Sequence, residues 1–224
     1  MAKVRKFAAL IGFITSILPL LSKAQNPSNY YIEDPRTFYA GIIAGGNFTQ
    51  VDGDNFAGYH KVGLNVGGIV YTHLGDHLAV SLEILFSQKG AKGNKEQGAS
   101  TQQGSFLITQ YKSALNYAEI PIQLCYFDKR RSHFGGGFSY SQLISAKETT
   151  VTNPNYPYNF EQYPFKKSDL NIVLGGNLHL VKGLFLNLRF QYSLISIRNN
   201  IPPGFGDRGQ QFNNMWTARL MYLF

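Results

Sequence analysis

The chain has 224 residues, with 21 Lys and Arg against 13 Asp and Glu and a formal net charge of +8. That length calls for one sizeable domain, and the single cysteine, Cys125, excludes a disulfide framework and a paired-cysteine metal site. The basic balance is partly a property of the first residues, and it shrinks once they are set apart.

Lys3, Arg5 and Lys6 precede an uncharged, mostly apolar run from Phe7 to Leu21, and Ser22-Lys23-Ala24 offers small residues for cleavage before Gln25. This is the pattern of a secretory signal peptide over 1–24, too short and too Pro-interrupted for a permanent membrane helix. Removing Lys3, Arg5, Lys6 and Lys23 takes the basic count from 21 to 17 against 13 acids, a net charge of +4. No later basic run exceeds Lys129-Arg130-Arg131, and an exported protein meets little nucleic acid, so no nucleic-acid partner is expected. Residues 25–36, polar with two prolines, read as a periplasmic tether, and 37–224 as the domain.

From Phe38 onward the period is two, the mark of strands. Eight segments show it: Phe38 to Phe48, Lys61 to His73, Leu78 to Ser87, Ser113 to Phe127, His133 to Ala146, Asp169 to Leu180, Leu184 to Ser193 and Gln211 to Phe224. The segment from His133 loses phase near Gln142, where a bulge would restore it. Connections alternate long and short: Gln50–Tyr59, Gly75-Asp76, Gln88–Lys112, Asp128–Ser132, Lys147–Lys167, Lys182-Gly183 and Ile197–Gln210. Four long loops at one end and three short turns at the other is the arrangement of an outer-membrane barrel. The expected fold class is therefore all-β, an eight-stranded antiparallel up-and-down transmembrane β-barrel.

Parity alone leaves open which face is inside. A soluble lipocalin-like barrel also has eight antiparallel strands but turns its apolar face inward. An eight-stranded interior holds few bulky side chains, and faces such as Leu78, Val80, Leu82, Ile84 and Phe86 suit lipid better. The chain also ends on a strand whose alternate residues are Trp216, Ala218, Leu220, Tyr222 and Phe224. That ending resembles the signal read by barrel-assembly machinery.

Several segments together resemble a known family: LEILFSQKG (Leu82 to Gly90), LNYAEIPIQLCYF (Leu115 to Phe127), FGGGFSYSQL (Phe134 to Leu143), DLNIVLGGNL (Asp169 to Leu178) and LNLRFQYSL (Leu186 to Leu194). They look like the PorT-type outer-membrane β-barrel family of Bacteroidetes, over roughly residues 37–224. The resemblance implies an eight-stranded outer-membrane barrel, and one founding member serves in protein secretion. No catalytic motif of that family is there to be matched.

Glu83, Glu119, Arg189 and Arg219 fall on the lumen parity of their strands. Unpaired buried charge is costly, so they are expected to pair across the lumen and plug it, with the carboxylates in reach of Arg189 or Arg219. A proton or ion path is the competing reading. His60, His73, His77, His133 and His179 lack metal-ligand spacing, and repeated glycines lie inside strands, so no metal, cofactor or catalytic residue is expected. Gln88–Lys112 reads as a mobile polar loop. Lys147–Lys167 carries Tyr156, Tyr158, Phe160, Tyr163 and Phe165, candidates for recognition or for an interfacial aromatic girdle. The expected function is non-enzymatic: a membrane scaffold or interaction module in contact with outer-membrane lipid and with an envelope or protein-secretion partner. The alternatives are a narrow channel for ions or small solutes and a soluble ligand-binding barrel.

Overall fold

The computed structural model describes residues 37–56, 58–93, 96–101, 104–128, 131–156, 159–206 and 209–224. The expected signal peptide and tether, and Tyr158, lie outside the described residues. Ten strands follow one another: β1 (Phe38–Asp52), β2 (Lys61–His73), β3 (Leu78–Lys89), β4 (Lys92–Gly93), β5 (Gln97–Thr101), β6 (Gly104–Phe127), β7 (His133–Asn153), β8 (Ser168–Val181), β9 (Leu184–Ser193) and β10 (Phe212–Leu223). Among the described residues the sole helical element is a 3-10 turn, Phe160–Gln162.

Eight of these strands, all but β4 and β5, pair antiparallel with their chain neighbours, and β1 pairs with β10 to close the ring. The register can be followed once round: Ala40, Val70, Leu82, Ile122, Phe138, Ile172, Tyr192, Asn214 and back to β1 at Gln50. The path returns ten residues above its start. Eight strands with that stagger tilt by roughly 40° and leave an interior that side chains fill.

The two faces settle the inside-outside question. Outward positions carry exposed Ile42, Val62, Leu82, Ile84, Ile122, Leu124, Phe138, Leu174, Leu188 and Leu220. Inward positions carry buried Asn47, Asn65, Ser81, Glu83, Glu119, Ser139, Asn171, Arg189 and Arg219. An apolar-inside soluble barrel has the opposite lining, so that alternative falls. Exposed aromatics ring the belt at both rims: Phe38, Tyr126, Phe134, Tyr222 and Phe224 near the short turns, and Phe48, Tyr140 and Trp216 toward the long loops.

The strands differ from expectation at the long-loop end. The expected polar loop Gln88–Lys112 holds the last residues of β3, all of β4 and β5, and the first half-turns of β6. Likewise β7 runs on to Asn153, into the expected loop Lys147–Lys167. Above the membrane the outward face meets water, so Lys112, Lys147 and Thr149 replace leucines and the strand reads as loop. The bulge foreseen near Gln142 sits two residues on, where Asn116 pairs with Ser145 and Tyr117 with Leu143.

Candidate functional site

Inward side chains fill the barrel in three tiers. At the short-turn end the tier is apolar and aromatic: Tyr39, Ile43, Ile69, Tyr71, Phe127, Phe185, Met221 and Leu223 pack together. His133 stacks on Phe127 with ring centroids 4.0 Å apart, and its Nε2 is hydrogen-bonded to the Tyr71 hydroxyl at 2.8 Å. His73 leans on the same Phe127 ring at 4.9 Å and His179 on Phe185 at 5.0 Å. His77 stacks outside on Tyr126, and His60 follows the turn at Gly58. Among the described residues no three His, Cys, Asp or Glu side chains meet as a metal ion requires.

The middle tier is ionic and forms two linked clusters. In the lower one Glu83 on β3 receives both Arg189 of β9 and Arg219 of β10. Arg219 holds it through two nitrogens, at 2.9 and 3.1 Å, and Gln123 adds a bond at 3.1 Å. The remaining Arg219 donors go to Asn187 at 2.6 Å and Asn65 at 3.1 Å. In the upper cluster Lys89 lies 3.5 Å from Glu119 and 3.6 Å from Asp169. Glu119 also accepts from Gln191 and from Ser139 at 2.8 Å, and Asp169 from Asn213 at 2.9 Å. Lys89 is completed by Ser141 at 3.2 Å, Asn171 at 3.4 Å and the Tyr117 ring at 5.0 Å.

Three acids thus face three bases, all buried, which is what makes ions tolerable in so narrow a space. The four residues expected from parity all point inward. Glu83 meets both arginines, while Glu119 meets Lys89 instead. Lys89 and Asp169 were the members sequence reasoning missed. Asp169 has the lumen parity of its strand, and Lys89 continues the series Glu83, Leu85 and Ser87 past Phe86, where the apolar outward series stops.

The third tier is a cap built by the long loops. Val51, Phe56, Phe106, Ile108, Tyr111, Leu115, Tyr117, Ile197 and Phe205 form a second apolar core. Phe56 stacks on Tyr111 at 4.7 Å, and Phe205 meets Tyr111 edge-on at 4.8 Å. Tyr156 stacks on Phe106 at 4.6 Å and Phe160 meets Phe205 at 5.6 Å. Arg198 grips Glu148 with two nitrogens while its guanidinium lies 3.7 Å over Phe165, and the Tyr111 hydroxyl donates to Glu148 at 2.7 Å. Tyr156, Phe160 and Phe165 are therefore turned into the cap rather than onto lipid, and Tyr163 is half-buried beside them. Nothing periodic ties Phe56, Ile197 and Phe205 together in sequence.

One ionisable group of the cap is out of balance. Asp54, in the loop after β1, accepts a bond from the Phe56 amide at 2.9 Å, and its other oxygen is buried without a partner. Burial pushes its carboxyl up to about 7, helped by the charge of Asp52 and opposed by that amide.

Solved structures with the same kind of barrel include Ail, the attachment invasion locus protein of Yersinia pestis (10% identical, TM-score 0.47, covering 84% of this chain and 100% of that one). The N-terminal β-barrel domain of Pseudomonas aeruginosa OprF is 12% identical with a TM-score of 0.37, covering 84% and 98%. The outer membrane protein OprG of Pseudomonas aeruginosa is 10% identical with a TM-score of 0.38, covering 84% and 94%. No curated protein matches the sequence. The outer membrane protein beta-barrel domain family matches residues 23–199, and with its closed ring, lipid-facing apolar wall and polar lumen, the chain belongs to that family.

Proposed function

We propose that this outer-membrane barrel is a closed, non-conducting scaffold that presents its long-loop end to another component of the cell envelope. The observation that carries the reading is the stack of two ion clusters of opposite excess charge, which neutralise each other beneath an aromatic cap: Glu83 with Arg189 and Arg219, Lys89 with Glu119 and Asp169, and the core around Phe56, Tyr111 and Phe205 above them. Each tier spends side chains on filling the lumen rather than on lining a water path. The protein works without catalysis or cofactor, is exported through residues 1–24, and is inserted by barrel-assembly machinery that reads the strand ending at Phe224. The segments from Leu82 to Gly90 and from Leu115 to Phe127 support a PorT-type affiliation within Bacteroidetes, and a protein-secretion complex is one setting for such a scaffold.

Planar-bilayer recordings of the refolded protein test this directly. A membrane carrying heat-modifiable barrels is expected to stay at its leak level. A steady, ion-selective conductance altered by Glu83→Gln or Arg189→Gln would replace the scaffold with a narrow channel.

A further inference from the structure

The strands that rise above the membrane do not end alike. β8 keeps company with β7 as far as the pair Gln142 and Ser168, and the last bond between them is Leu143 N–H to the Lys167 carbonyl at 2.7 Å. From there β7 continues to Asn153 with β6 along one edge. Among the described residues no strand pairs its other edge from Ile144 to Val151. The remaining flank of β6 is taken by β4 and β5. The sequence along the β7 edge, ISAKETTV, holds Ile144, Thr149, Thr150 and Val151, residues that favour strands. Ile144 is 61% and Val151 53% exposed. Proteins ordinarily blunt or cover such an edge.

The outward faces of the strands around it carry one sign of charge. On the outward face Lys147 and Lys112 are exposed, and Lys92 lies directly opposite Lys112 in the β4–β6 pairing. Like charges placed opposite each other destabilise a sheet. The acid of this stretch, Glu148, faces inward and is held by Arg198 and Tyr111. No outward position of β4, β6 or β7 among the described residues carries an acid.

We infer that the β7 edge from Ile144 to Val151 receives an acidic, extended segment of another polypeptide, added antiparallel as a further strand. Backbone bonds along the edge supply the affinity, and carboxylates on its outward face meet Lys147 on β7 and, one strand further in, Lys112 on β6. A second copy of the chain fits the edge less well, and it brings its own Lys147 and Lys112 against the same lysines. Barrels inserted with the same polarity all carry β7 upward, so two such edges meet parallel, whereas the more stable antiparallel pairing needs a strand running toward the membrane. The inference names a partner class for the scaffold reading and rests on it. Conductance is recorded with no peptide present, so either can fail alone.

The test uses the full chain refolded in detergent micelles and a labelled peptide of about ten residues alternating Glu with Val and Thr, the length that spans this edge. Fluorescence anisotropy is expected to show binding at least tenfold tighter than for the same peptide with Lys in place of Glu or with a central Pro. Lys112→Glu with Lys147→Glu, checked for the heat-dependent gel shift, is expected to invert the preference between the Glu and Lys peptides. Hydrogen exchange on the unmodified protein is expected to show amides between Ile144 and Val151 slowing at least tenfold when the Glu peptide is bound. Equal binding of the Pro-broken peptide, or no slowing at this edge, overturns the inference. So does a finding that phosphatidylglycerol vesicles engage these lysines while the peptide does not.

Discussion

Arg219 reaches from β10 across the lumen to β3 and sets two guanidinium nitrogens on the Glu83 carboxylate, Nη1 to Oε2 at 2.9 Å and Nη2 to Oε1 at 3.1 Å. Arg189 reaches the same carboxylate from β9, so one acid holds two buried bases apart. Glu83→Gln keeps the shape and removes that charge, leaving two guanidinium groups facing each other away from water. Breaking a buried pair costs about 3–5 kcal/mol. Urea unfolding in micelles is expected to show a loss of that size, with the gel shift moved to a lower temperature. An unchanged midpoint would mean that the arginines find other partners.

Lys89 stands in the opposite relation, one base between two acids, Glu119 and Asp169. Lys89→Met is expected to destabilise the barrel by a similar amount, because both carboxylates then lose their counter-charge. Adding Glu119→Gln and Asp169→Asn removes the charges left behind. The triple variant is expected to recover most of the stability, since members of one network do not add. Three independent losses that simply sum would show that the cluster is no network.

The barrel itself was legible because two constraints act on every strand. Lipid outside and a narrow lumen inside force period two, and volume decides which parity is which, so Glu83, Glu119, Arg189 and Arg219 were found from position alone. Legibility ended where lipid ends. After Phe86 the outward series on β3 turns to Gln88, so the apolar mark of the strand stops there although Lys89 still points inward. β5 and the upper half of β6 alternate between the cap and water, a weak contrast that reads as loop. The cap joins Phe56, Tyr111, Tyr156, Phe160 and Phe205 from four connections, a closeness no local pattern encodes.

Glycines in the wall divide by what stands opposite them. Gly45 pairs with Arg219, and a Cβ there would run into the Ala218 carbonyl and the Arg219 Cβ. Gly176 looks outward, and an added Cβ meets nothing within 4 Å. Gly45→Ala is expected to abolish the heat-modifiable band, and Gly176→Ala to leave it unchanged. If both fold equally well, Gly45 is not what gives Arg219 its room.

Asp54 gives the cap a pH dependence of definite sign. Its carboxyl sits at about 7 in the folded cap against 3.8 ordinarily, so the folded state keeps a proton that the opened loop releases. The contribution to cap stability is fully present below the ordinary carboxylate value and is lost as pH rises through about 7. The loop carrying Asp54 also places Phe56 against Tyr111 and Phe205, so losing it loosens the whole outer core. Limited proteolysis of the long loops is expected to quicken as pH rises from about 4 to about 7 and to level off above that, once the protease's own pH profile is divided out, while the barrel stays closed by the gel shift. Asp54→Asn, neutral throughout, is expected to flatten that dependence and hold the cap in its low-pH state. A variant that keeps the wild-type slope would move the titrating group elsewhere in the cap.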